Sequence, residues 1–272
     1  WVRRRAEDIA AGSTVLAECT RLTPAAVGLA ASIGAATLEV RRRPHVACFF
    51  TGDELVMPGQ PLPAGGIYNS NRFVLNALLR RLGCEVLDLG IVPDSREATR
   101  QALREAAEGA DLIISAGGVS VGEEDHVRPA VEAEGQIDLW RVAIKPGRPL
   151  AYGRVGRYGP EGARAAVPGS FAHFIGLPGN PVSAYVTFLL FVRPFVLRLQ
   201  GIQVVEPQAV TLISGFDWTN PDRRREFLRA VHLPDGRLGL FRQQGSAVLT
   251  SAVVGHGLID NPPGQVIRQG DA

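Results

Sequence analysis

The chain has 272 residues, 46% apolar and 21% charged, with a formal net charge of +2. Those values fit a globular protein with room for one large and one smaller domain, and the weak charge gives no reason to expect a nucleic-acid partner. Cys19, Cys48 and Cys84 are widely spaced, with no C-x-x-C or H-E-x-x-H, which argues against structural zinc and a disulfide framework and suits a reducing, cytoplasmic setting. No uninterrupted apolar run of about 18 residues occurs, so no membrane span or membrane partner is expected, and no signal peptide is visible. The chain opens on Trp1 and closes on Gly270-Asp271-Ala272, and it reads as a piece of a longer protein.

Residues 1–43 lack a strand–helix rhythm, apart from a short helix near Pro24 to Ala31, and look too small for their own core. From Pro44 a βαβ alternation begins. Val46 to Phe50 is a continuous apolar run, as expected of a strand covered on both faces. Val74, Leu75, Leu78, Leu79 and Leu82 form a helical stripe over Asn71 to Gly83, with Gly83 at the stop. Cys84 to Val92 reads as a strand, and Asp94 with Glu97 as a capping box for a helix to about Glu108. Asp111 to Ala116, Ile137 to Ile144, Pro149 to Val155 and Phe174 to Leu177 read as further strands. Tyr158 to Ser170, rich in Gly, Pro and Ala, reads as a surface loop. Asn180 and Pro181 start a long apolar helix that Gly201 stops. Beyond Glu206, short segments at Val210 to Ile213, Glu226 to Val231 and Arg237 to Phe241 predict a small all-β module.

Four glycine- and proline-rich loops fall at strand ends: Thr51 to Glu54, Gly117 to Gly122, Lys145 to Pro149 and Leu177 to Pro181. In an open α/β sheet the ligand crevice lies outside the carboxyl ends of the strands. Gly117, Gly118 and Gly122 precede a helix near Asp125, an arrangement that offers N–H groups to an anion, although a tight turn needs glycines too. Glu123, Glu124 and Asp125 follow and would repel a phosphate without an intervening metal or proton. Asp53 and Glu54 suit Mg²⁺, or one of them bonds the turn backbone. Lys145 and Arg148 suit an oxyanion, or form surface ion pairs. Asn180 is explained by helix capping alone, and His126 carries no assignment. The three arginine runs, at residues 3–5, 41–43 and 223–225, are either solvated surface or an electropositive rim. No G-x-S-x-G elbow occurs.

Five runs in order, Thr51 to Leu55, Gly66 to Arg72, Ser115 to Gly122, Lys145 to Pro149 and Gly176 to Ser183, resemble the molybdenum-insertion enzymes of molybdenum cofactor biosynthesis. This is the MoeA family, similar to the gephyrin E domain. The resemblance implies a three-layer α/β/α molybdopterin-binding domain over residues 44–204, after a remnant of an N-terminal dimerisation region over 1–43. A barrel-like all-β domain would follow over 205–272. It implies transfer of molybdate to adenylylated molybdopterin with release of AMP, assisted by Mg²⁺ or another divalent ion. Asp53, Glu54 and Asp125 would be catalytic and hold the metal, and Lys145 would be catalytic. Gly117, Gly118, Ser120, Gly122, Arg148, Pro178, Gly179, Asn180, Ser183 and Ser246 would bind substrate, and Asp111 falls on an acidic position of the family. Arg148 stands where the family often has lysine. The resemblance further implies a homodimer, fed by a MogA-like adenylyltransferase, whose site draws on N-terminal parts largely absent here. A scaffolding module without turnover and a MogA-like adenylyltransferase are the alternatives. The latter lacks the β-rich module and prefers a G-G-T-G loop.

Overall fold

In the computed structural model the described residues are 2, 4, 6–119, 126–157 and 170–272. Ser120, Gly122 and Asp125, and all but Ser170 of the expected loop from Tyr158 to Ser170, lie outside them. The elements run α1 (Pro24–Ser32), β1 (His45–Thr51), β2 (Leu55–Val56), β3 (Ile67–Tyr68), α2 (Ser70–Arg81), β4 (Glu85–Val92), α3 (Arg96–Gly109), β5 (Leu112–Ala116) and α4 (Val127–Glu134). They continue through β6 (Gly135–Trp140), β7 (Ile144–Lys145), β8 (Ala151–Gly156), β9 (Phe171–Leu177), α5 (Pro181–Thr187), a π-helical turn (Phe188–Val192) and α6 (Arg193–Leu199). The last are β10 (Arg225–His232), β11 (Leu238–Leu240), α7 (Thr250–Val254) and β12 (Gly257–Asn261).

Successive side chains of a strand point to opposite faces, and β1 uses both. Ala47 and Phe49 join α3 and α4 residues such as Leu103, Ala106, Val127 and Val131 in one core. Val46, Cys48 and Phe50 join Leu75 and Leu79 of α2 and Phe188, Val192 and Val196 beyond α5 in another. Helices therefore cover both faces of the main sheet, which is why its strands read as unbroken apolar runs. Burial pushes the Cys48 thiol up, and with the nearby Asp111 charge it pushes Cys84 up to about 11, so both stay protonated packing groups.

The six strands are ordered β4-β1-β5-β9-β8-β6. The first four are mutually parallel, while β8 runs antiparallel to both β9 and β6. Reversal at β8 brings its amino end, where Ala151 pairs with Gly176, to the carboxyl edge of the parallel strands. The Lys145–Pro149 turn is thereby delivered to the same edge as the other three loops.

Four local expectations are corrected. The α3 cap is Ser95, whose Oγ accepts from Ala98 N at 3.2 Å, with no Asp94–Glu97 capping box. The expected strand from Ile137 to Ile144 is two strands in two sheets, because Arg141 at φ 85° turns the chain out of the first. Val210 to Ile213 forms no strand, with Val210 79% exposed, and β12 stands in its place beside β10. The C-terminal segment also contains the helix α7, and its sheet is β11-β10-β12 joined by β7 from upstream. The 19-residue helix Pro181–Leu199, though interrupted by Arg193 and Arg198, is long and apolar enough by composition to cross a membrane. Here half of it is buried, with Phe188 and Val192 in the sheet's core.

Candidate functional site

Three parallel strands end at adjacent glycine turns. Gly117, at φ 99°, follows β5 and donates its N–H to Leu177 O of β9 at 3.1 Å. A Cβ on Gly117 would overlap the carbonyl oxygen of Thr51 at the end of β1, and one on Gly118 would lie 2.8 Å from Thr51 Oγ1. Glycine is required at both positions by this close approach and by positive φ. A Cβ on Gly179 would sit 3.7 Å from Gly117 Cα, so the turn after β9 also touches this point. Asn71 in the first turn of α2 holds it there, donating Nδ2 to Gly179 O at 2.7 Å.

Two more segments close on the start of α5. Val182 N donates to Ser246 O at 2.9 Å, which brings the C-terminal Gly245–Ser246 loop to the helix N-terminus. A Cβ on Gly147 would overlap Thr187 Cγ2 and lie 3.7 Å from Ser183 O, so the Lys145–Arg148 turn packs along the same helix. Asn180 is the N-cap residue but makes no side-chain capping bond. Its exposed amide is open to a ligand, whereas Pro181 has no N–H and that of Val182 is already given to Ser246 O. Pro178 and Ser183 are buried beneath, while Gly179 is exposed.

The charged residues divide. Asp53 and Glu54 are exposed on the turn after β1, and a Cβ on Gly52 would come within 2.6 Å of Glu54 Oε2, so the Glu54 carboxylate lies over the turn backbone. Lys145 is engaged: Nζ sits 3.2 Å from Glu226 Oε1 and 3.4 Å from Asp222 Oδ2. Glu226 is fully buried and also accepts from Trp218 Nε1 at 2.8 Å and Asp222 N at 3.0 Å. Burial pushes its pKa upward, but those donors and Lys145 outweigh it and hold the carboxyl below the usual range. Hydrogen bonds from the Arg224 side chain and backbone hold Asp222 far below its ordinary value. Arg148 is exposed, and among the described residues its side chain has no hydrogen bond or ion pair.

Asp111 stands apart from this edge. It opens β5 at the amino end, where it takes a two-pronged pair from Arg42 at 2.6 and 2.7 Å and a bond from His45 N at 2.9 Å. Its carboxyl is held low mainly by Arg42 against an opposing effect of burial. Arg42 of the second arginine run is thus a tie across strand starts, and Arg224 of the third is paired with Asp222. Sequence reasoning passed over Asn71, Asp222 and Glu226 as site-shaping residues. Asn71 lay within a motif already noted, whereas Lys145 meets its partners through the β7–β10 pairing of segments far apart in sequence, which leaves no local pattern.

Among the described residues no three His, Cys, Asp or Glu side chains gather where a metal could sit. Asp53 and Glu54 nonetheless supply hard oxygen donors side by side at the edge, the kind Mg²⁺ takes through one or two carboxylates with waters retained.

A family described as the probable molybdopterin binding domain matches residues 47–198, more than half of the chain. The chain belongs to that family. The molybdopterin binding domain match spans the parallel strands from Ala47 onward and all four edge loops, the Lys145 turn among them. A molybdopterin molybdenumtransferase of Haemophilus influenzae is 44% identical over 232 residues, which cover 85% of this chain and 54% of that protein. One of a Nostoc species is 35% identical over 90% of this chain and 55% of its own length. The crystal structure of a molybdopterin biosynthesis MoeA protein from Pyrococcus horikosii superposes with a TM-score of 0.76 at 26% identity, over 97% of this chain and 62% of that one. The chain spans about half the length of the curated relatives it matches.

Proposed function

We propose that this chain is the substrate-binding portion of a molybdopterin molybdenumtransferase, which inserts molybdate into adenylylated molybdopterin and releases AMP. The observation that carries this reading is the convergence of the Thr51, Gly117, Gly179, Lys145–Arg148 and Ser246 segments on one sheet edge and one helix start. Backbone N–H groups there suit the anionic pyrophosphate link and molybdate. Arg148, exposed at the turn, supplies a two-pronged cation, while Lys145 adds positive charge at the junction with the C-terminal sheet. Asn180 and Ser183 at the helix start, with Gly117 and Gly118, fix the ligand along the edge.

Asp53 and Glu54 would hold Mg²⁺, with Asp125 as a third ligand by the family resemblance. The bound ion would polarise the phosphoanhydride. The C-terminal residues 205–272 would complete a barrel-like module, and residues 1–43 would belong to a dimerisation region. The whole protein would act as a cytoplasmic homodimer supplied by a MogA-like adenylyltransferase. Molybdate-dependent AMP release by the full-length protein, compared between wild type and Arg148→Ala, tests the reading. Release lowered by the substitution supports it, and release independent of molybdate overturns it.

A further inference from the structure

Arg229 is a cation placed where cations are costly. It lies in β10 with 2% of its surface exposed. Its donors reach only neutral acceptors: Ser251 Oγ at 3.3 Å, Phe227 O at 3.1 Å and Gly245 O at 3.4 Å. Among the described residues no carboxylate pairs with it. A guanidinium has five N–H groups, and three bonds to described residues leave two with no acceptor among those residues. A buried charge is normally paired, and burial lowers the pKa of this one, as expected of a guanidinium lacking a counter-ion.

Arg229 lines a cavity of about 1000 Å³ between the long helix and the C-terminal sheet. Tyr185, Leu189 and Arg193 line the helix side. Leu189 also packs against the main-sheet cluster of Phe188, Val192 and Val196, so the cavity borders that core on its helix side. Phe227, Leu258 and Ser251 line the opposite side. Arg193 is a second guanidinium without a carboxylate partner among the described residues, bonding only Val205 O at 3.3 Å. Of the cavity's other charged groups, Arg225 is already paired with Asp260, and His232 donates its backbone N–H to His256 Nδ1. Asp271, the last acidic group on the wall, accepts from Arg268 N instead.

We infer that this cavity is a second ligand site, separate from the sheet-edge crevice, for an organic anion: a carboxylate, sulfonate or phosphate on an apolar or aromatic body. The anion supplies the missing counter-charge to Arg229 and Arg193, and the body fills the apolar walls. Arg229 also bonds the carbonyl of Gly245, next to Ser246, so an occupied site would rest against the loop that touches the start of α5.

The test is a fluorescence titration of this chain with anilinonaphthalene sulfonate, beside the neutral probe N-phenylnaphthylamine. Wild type, Arg229→Met and Arg193→Met are compared, with near-ultraviolet circular dichroism confirming that each is folded. The expected result is saturable one-site binding of the sulfonate, weakened about tenfold in each variant by loss of a charge-assisted bond, with neutral-probe binding unchanged. Should Arg229→Met fail to fold, Arg193→Met decides, since its side chain is only half-buried. Absence of saturable sulfonate binding to the folded wild type would overturn the inference. So would equal loss of both probes, or sulfonate affinity unchanged in the folded variants.

Discussion

Lys145 Nζ lies 3.2 Å from Oε1 of Glu226, a carboxylate with no exposed surface in the strand β10. The pair ties the last residue before the edge turn to the C-terminal sheet, where Glu226 also faces Lys145 across the β7–β10 ladder. A residue expected to serve ligand chemistry therefore also carries structural duty. Removing it leaves a buried carboxylate with hydrogen bonds but without its cation.

Lys145→Met is accordingly expected to lower stability by about 1–3 kcal/mol, the half-exposed ammonium being partly screened. Urea unfolding of Lys145→Met, Glu226→Gln and the double variant measures the coupling. Additive losses would show that the two side chains do not interact.

Acid sensitivity follows from the same carboxylate. The folded pKa of Glu226 lies below the ordinary 4.5, so its stabilisation is complete above that value and lost as pH falls through the lowered folded pKa. Asp111 and Asp222 are also held low and act in the same direction. Melting temperature should fall as pH drops below about 4.5, and Glu226→Gln should fall less steeply than wild type. Parallel pH profiles would place the acid-labile group elsewhere.

Glycine substitutions separate the edge from the surface. Gly117→Ala forces a methyl into the Thr51 carbonyl at positive φ and is expected to cost about 3 kcal/mol or more. Gly28→Ala, within α1 and with open space around it, should stabilise by about 0.5–1 kcal/mol. Thermal melts of both variants check the contrast, and equal effects would contradict the close approach of β1 and β5.

Asp111 provides the control for position. Asp111→Asn loses the charge toward Arg42 and should destabilise by about 1–2 kcal/mol, while leaving ligand affinity at the opposite edge unchanged. Calorimetric titration beside a denaturation curve reads both effects.

Much of the main sheet was legible because buried parallel strands are unbroken apolar runs and their helices carry clear stripes. Val46 to Phe50 and the Leu75–Leu79 face illustrate both. The Asp94–Glu97 spacing misled because Ser95, one residue on, offers the better-placed oxygen for Ala98 N. β12 was invisible for a different reason. Gly257–Asn261 has no clean alternation, and its strand exists through pairing with β10. Likewise the four glycine loops could be read locally, but the partners of Lys145 lie some eighty residues away, and only the folded chain brings them to it.

If the glycine-lined edge binds an anionic ligand, Arg148 is the residue to change, because its side chain is exposed and among the described residues has no hydrogen bond or ion pair to lose. Calorimetric titration of AMP with Mg²⁺ into wild type and Arg148→Ala is the direct measurement. Saturable binding, weakened about tenfold by the substitution at unchanged melting temperature, is predicted. Identical affinity in the two proteins, or no binding by folded wild type, would contradict the account.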